Sequence, residues 1–130
     1  MRLLIIEDNP DDRELMTYLL RASGHTTRGV GSSESALGVL EYETPDIILC
    51  DLALPGASGH EVARELKNDP RFKRVLLIAV SAGAVGGPEA AAKAGFDGYI
   101  PKPIDPEKFV EQVMHFLEIR GDREPSGTAP

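Results

Sequence analysis

Three stretches of this chain, residues 3–6, 47–50 and 75–80, are apolar without alternation. Successive side chains of a strand point to opposite faces, so an unbroken apolar run predicts a strand buried on both faces, as in the middle of a parallel sheet. Each run stops at a polar group: Glu7-Asp8, Asp51 and Ser81. A shorter strand is expected over 98–100, running into Pro101-Lys102-Pro103, and a weak, polar one over 25–30 reads as a sheet edge.

Between the strands the apolar period becomes helical. Asn9, Pro10, Asp11 and Asp12 supply an N-cap, a proline at the first helical position and acids beside the positive end of the helix. Leu15, Met16, Leu19 and Leu20 then recur at helical spacing until Gly24. Ser32 or Ser33 caps a second helix with Ala36, Leu37 and Leu40 inward, ending before Pro45. Ser58 and Glu61 have capping-box spacing and open a helix to about residue 67, with Val62 and Leu66 inward. Residues 82–87, rich in glycine and alanine, read as a mobile loop before a short Ala-rich helix over 88–94. Asp105-Pro106-Glu107 caps a last helix whose inner face is Phe109, Val113, Phe116 and Leu117. From about residue 120 apolar groups are few, so the expected domain is 1–119 with a disordered tail over 120–130.

Five strands alternating with helices predict an α/β fold, a doubly wound parallel sheet with helices on both faces. With right-handed crossovers, the flavodoxin-like order 2-1-3-4-5 puts the polar second strand at an edge and the first and third side by side.

Composition narrows the function. The chain's 130 residues suit one domain, and its single cysteine, Cys50, cannot form an internal disulfide and reads as a small buried hydrophobe. A net charge of −7 with no basic stripe argues against nucleic acid as a direct partner. No apolar run is long enough for a membrane span or a signal-peptide core, so a cytoplasmic protein is expected.

The predicted topology brings Glu7, Asp8 and Asp51 to one crevice at the carboxyl edge of the sheet, where open α/β sheets bind ligands. Two such charges about 4 Å apart repel by about 4 kcal/mol at an effective dielectric near 20, so pKa values rise or a cation binds. Oxygen ligands without His or Cys favour Mg²⁺ over zinc, and Mg²⁺ tends to share its site with phosphate. Ser81 and Lys102 end the fourth and fifth strands and face the same crevice. A hydroxyl and an ammonium there suit a phosphoryl group arriving on a carboxylate.

Glu7-Asp8, Asp51 with Pro55-Gly56 and Gly59 downstream, Ser81-Ala82, and Tyr99 with Lys102-Pro103 resemble, in that order, the receiver domain of two-component response regulators, over residues 2–117. The resemblance implies that Asp51 is the phosphoacceptor, and that Mg²⁺ is bound by Glu7, Asp8, Asp51 and the backbone carbonyl of Ala53. It implies that Lys102 pairs with the phosphoryl oxygens, that Ser81 moves to hydrogen-bond them, that Tyr99 turns inward as a switch, and that the Lys102-Pro103 bond is cis. The implied phosphoryl donor is a histidine kinase or a histidine phosphotransfer protein, and the signal leaves either through a downstream protein reading the face of the fourth helix, fifth strand and fifth helix or by passing the phosphoryl group on to a phosphotransfer histidine. No separate substrate is expected; the protein would catalyse only phosphorylation and dephosphorylation at Asp51. With about a dozen residues past the last helix, a stand-alone regulator is expected, the alternatives being a receiver fragment of a longer regulator or a pseudo-receiver working without phosphorylation.

Singly, each residue has an ordinary structural explanation: strand-end acids are solvated caps, Ser81 a turn residue, Lys102 a surface lysine and Tyr99 a packing residue. His25, His60 and His115 have neither ligand nor triad spacing and read as surface residues, and Arg120-Gly121-Asp122 reads as a chance tripeptide. A flavodoxin-like cofactor binder would need a phosphate-cradling loop where the acidic Glu7-Asp8-Asn9-Pro10 stands, and an aspartyl-nucleophile phosphatase usually has a second acid where this chain has Ala53. Ala53 and Gly83, two residues beyond Asp51 and Ser81, are small where the family often carries larger or polar side chains that govern water's approach. Hydrolysis is therefore expected to receive no side-chain help there. Introducing Ala53→Glu or Gly83→Glu should change the lifetime of the phosphorylated form, and an unchanged lifetime in both variants contradicts this reading.

Overall fold

The computed structural model describes residues 1–54, 58–82 and 87–123. Strands β1 (Arg2–Ile6), β2 (Thr26–Val30), β3 (Ile47–Cys50), β4 (Leu76–Ser81) and β5 (Gly98–Pro101) alternate with helices α1 (Pro10–Ala22), α2 (Ser33–Leu40), α3 (Gly59–Lys67), α4 (Gly87–Ala94) and α5 (Phe109–Arg123). All pairings are parallel, in the order β2-β1-β3-β4-β5, which is the doubly wound topology expected.

The central strands feed two cores from alternate residues. Leu3, Ile5, Ile47, Leu49, Leu76 and Ile78 pack with Met16 and Leu20 of α1 and Phe109 and Val113 of α5. Leu4, Ile6, Ile48, Cys50, Leu77 and Ala79 pack with Ala36 and Leu40 of α2, Val62 and Leu66 of α3 and Ala91 of α4. No residue of β3 is more than 1% exposed, which is why its sequence is apolar at every position. Cys50 is a free, fully buried thiol there, and burial pushes its pKa well up, so it stays neutral.

Several boundaries and one element differ from the sequence reading. A 3-10 turn, Pro70–Phe72, follows α3; Asp69 caps it by accepting from the Arg71 N–H, and the turn buries Phe72. Its apolar content, one residue, is too small to register as a period. Helix α5 continues through Arg123, past the residue where a tail was expected. Residues 124–130 of that tail, 83–86 of the expected loop, and Pro55 and Gly56 of the family-like motif lie outside the described residues. His25 and His60 are half-buried rather than on the surface; His60 meets Phe96 edge to face, with ring centroids 6.5 Å apart.

Register determines where the strand ends emerge. Ile6 pairs with Cys50, Cys50 with Ala79, and Ser81 with Pro101. The ladder continues one residue further: the Glu7 N–H donates to Val30 O (2.9 Å), the Asp51 N–H to Ile6 O (3.0 Å) and the Lys102 N–H to Ser81 O (2.8 Å). At the edge strand β2, Arg21 donates to Thr27 Oγ1 (2.8 Å) and Thr27 O (3.1 Å), and Arg28 pairs with Glu43. Arg13 lays its stem beside Gly29 and donates from Nη1 to the Glu7 carbonyl at 2.7 Å.

Gly59 opens α3 against the end of β3. A Cβ at this position would lie 2.5 Å from Asp51 O and 2.9 Å from Leu52 Cα, both backbone atoms that cannot step aside. Exposed Gly38, inside α2, has nothing within 4 Å of the same built atom. Gly59→Ala should therefore destabilise by about 1–3 kcal/mol through forced backbone displacement, and Gly38→Ala should stabilise by about 0.5–1 kcal/mol through helix propensity; urea unfolding of the two variants checks both signs.

Candidate functional site

The loop after β1 turns directly into α1. Asn9 caps that helix, its Oδ1 accepting from the N–H groups of Asp11 (2.9 Å) and Asp12 (3.1 Å), and its own N–H donates to Glu7 Oε2 at 3.1 Å. One residue thus fixes both the direction of Glu7 and the first turn that carries Asp12. Asp51 follows β3, and its Oδ1 accepts from the Ala53 N–H at 2.9 Å.

Lys102 joins these elements. Its Nζ lies 2.7 Å from Glu7 Oε1, 3.0 Å from Asp51 Oδ2 and 3.1 Å from Asp12 Oδ2. The side chains of Glu7, Asp51 and Lys102 are 1%, 8% and 13% exposed, whereas that of Asp12 is 34% exposed. The Lys102-Pro103 peptide bond is cis, as the resemblance implied.

Glu7, Asp8 and Asp51 each offer a carboxylate oxygen, and these oxygens lie within 4.8 Å of one another. Among the described residues they are the group arranged for a metal ion. Glu7 Oε1 is buried without a hydrogen bond, and Lys102 compensates it as an ion-pair charge 2.7 Å away. A single ammonium leaves the acids under-compensated, so an oxygen-liganded divalent cation fits the donor set.

The electrostatics reflect that imbalance. Burial pushes the Glu7 carboxyl up to about 7, and the Asp51 charge pushes the same way, against the pull of Lys102 and the Asn9 N–H. Burial draws the Lys102 ammonium down, but its close contacts with the Glu7, Asp51 and Asp12 carboxylates outweigh that and hold it above its ordinary value.

The structure thus brings Glu7, Asp8, Asp51 and Lys102 together. Ser81 is buried at the end of β4, and its hydroxyl makes no hydrogen bond among the described residues. Tyr99 is half-buried on β5, opposite Ala79, and packs against the core cluster that includes Ala79, Ala91 and Phe96. Asp12 and Arg13 were not singled out from the sequence for the site. In the sequence, Asp12 is accounted for by its place in a helix first turn, and Arg13 acts through the backbone carbonyl of Glu7, which leaves no residue pattern.

Residues 3–114 match the sequence pattern of the response regulator receiver domain. The chain belongs to that family. The receiver is 37% identical over 116 residues to the polar-differentiation response regulator DivK of Brucella abortus, covering 88% of this chain and 94% of that protein. It superimposes on a putative response regulator from Chloroflexus aurantiacus with a TM-score of 0.84 at 30% identity, covering 90% of this chain and 97% of the other. It is also similar to the receiver domain of a sensor histidine kinase from Pseudomonas aeruginosa, which has a magnesium ion coordinated in its active site cleft (27% identity, TM-score 0.80, covering 90% and 97%). Among the described residues no helix of the receiver is long and apolar enough to cross a membrane.

Because the folded pKa of Glu7 lies above its ordinary 4.5, the folded protein holds this proton more tightly than the unfolded chain does. Its contribution to stability is therefore complete below about pH 4.5 and is lost as pH rises through about 7. In cation-free buffer with chelator, denaturation should show a loss on the order of 2 kcal/mol across that window, and Glu7→Gln should flatten it. A wild-type profile parallel to that of Glu7→Gln contradicts the assignment.

Proposed function

We propose that the protein is a phosphorylation-dependent response regulator whose phosphoacceptor is Asp51. The observation that carries this reading is Asp51 itself: a nearly buried carboxylate at the carboxyl edge of the sheet, 3.0 Å from Lys102 and gathered with Glu7 and Asp8. A lone pair of the Asp51 carboxylate attacks phosphorus in a phosphohistidine. The acyl phosphate O–P bond forms as the N–P bond breaks, with its electron pair going to the imidazole nitrogen, which takes up a proton. Glu7, Asp8, Asp51 and the Ala53 carbonyl would hold Mg²⁺, which when bound supplies positive charge against the phosphoryl oxygens.

Each side chain has a part that needs no further group. The Ala53 N–H orients the nucleophile through Oδ1. Lys102 offers a positive charge beside the attacking oxygen. Ser81 lies at the adjacent strand end, where its free hydroxyl suits a phosphoryl oxygen, and Tyr99 would follow that movement as the switch. The protein acts on its own Asp51 and on no separate substrate.

The donor is a histidine kinase or a histidine phosphotransfer protein, and the setting is the cytoplasm. Similarity along 94% of the length of a DivK response regulator supports a role of that type. Readout falls to the face of α4, β5 and α5, where Ala91, Phe96, Tyr99 and Phe116 line a shallow depression suited to a protein partner.

Incubation with Mg²⁺ and acetyl phosphate should add the mass of one phosphoryl group to the wild type and none to Asp51→Asn. An addition that survives Asp51→Asn, or none without that substitution, overturns the reading.

A further inference from the structure

We propose that Asp12 is a positioning residue for phosphoryl chemistry, a fourth carboxylate that holds Lys102 at the mouth of the site and competes with an incoming phosphoryl group for the same ammonium. This inference rests on the reading of Asp51 as phosphoacceptor.

The observation is one of shared charge. Lys102 Nζ is the ion-pair partner of three carboxylate oxygens, from Glu7 at 2.7 Å, Asp51 at 3.0 Å and Asp12 at 3.1 Å. A phosphoryl oxygen that approaches Nζ competes with them for the same positive charge. Glu7 is 1% exposed, and stripping its partner would leave a buried charge without compensation. Asp51 carries the phosphoryl group and moves with it. Asp12 has the longest of the three contacts and the most exposed side chain, 34%, so water can take over its lone pairs when Lys102 leaves. The contact to Asp12 is therefore the one that yields.

The position of Asp12 does not depend on Lys102. Asn9 accepts from its N–H at 3.1 Å and holds the first turn of α1 in place. The carboxylate is thus presented to the ammonium by the helix, and its departure leaves the helix intact. It tethers Lys102 before phosphorylation and adds one negative charge that the arriving anion must meet.

Asp11 provides an internal control. It lies in the same turn, carries the same charge and is exposed, and its N–H donates to the same Asn9 oxygen, yet it makes no ion pair with Lys102 among the described residues. The experiment titrates beryllofluoride, a phosphoryl mimic, into the full chain at fixed Mg²⁺ and follows amide shifts, with melting temperatures measured alongside. Asp12→Asn should bind the mimic roughly two- to fivefold more tightly than the wild type. Asp12→Glu, which restores the charge, should return binding to within about twofold of the wild type, a recovery that a purely structural role for the helix turn would not produce. Asp11→Asn should leave the affinity at the wild-type value. If Asp12→Asn binds no more tightly than Asp11→Asn, the tether is overturned while the phosphoacceptor reading stands. If the wild type itself shows no Mg²⁺-dependent binding, the phosphoacceptor reading is overturned and the tether falls with it.

Discussion

Everything at the carboxyl edge of this sheet depends on one ammonium group. Lys102 Nζ contacts acids from three separate parts of the chain: Glu7 after β1, Asp12 in α1 and Asp51 after β3. Without it the buried Glu7 and Asp51 would face each other with little but backbone donors, and like charges that close cannot both remain ionised at low expense. The β5 strand places that ammonium through a backbone bond from the Lys102 N–H to Ser81 O, so the charge arrives by sheet register and not by chance of a flexible side chain. The cluster is nonetheless only partly neutralised. That residual negative charge makes the crevice receptive to a cation, while burial, with a smaller push from the Asp51 charge, raises the Glu7 carboxyl to about 7.

Most of the architecture was legible because burial leaves a pattern. Ile47 to Cys50 could be read as a central strand since both faces of β3 are covered, and the topology followed from the alternation with helices. Caps were equally readable: Asn9, Ser32 and Ser58 each accept hydrogen bonds from the first turn that follows them. The 3-10 turn at Pro70–Phe72 was not readable, because three residues cannot show a period.

At the site, the acids at the strand ends and Lys102 could be placed from the sequence because strand ends are where a charge can emerge from an apolar run. Asp12 could not. Its residue type was already accounted for by the helix it begins, and only the distance to Lys102 reveals a second engagement. Arg13 escaped for a different reason: its partner is the carbonyl of Glu7, and backbone partners carry no residue identity. Sequence reading finds groups that are conspicuous for their surroundings and misses groups with two uses.

The rims of the sheet carry a further consequence. On β2, Arg21 occupies the Thr27 carbonyl, and Arg28 brings a charged pair to the same strand. On the opposite rim β5 is four residues long and ends in Pro101, which has no N–H to donate. Edges with these features are poor templates for a sixth strand. Another chain that meets these rims is therefore left with side chains and not with a free ladder of backbone groups, and contact need not extend the sheet.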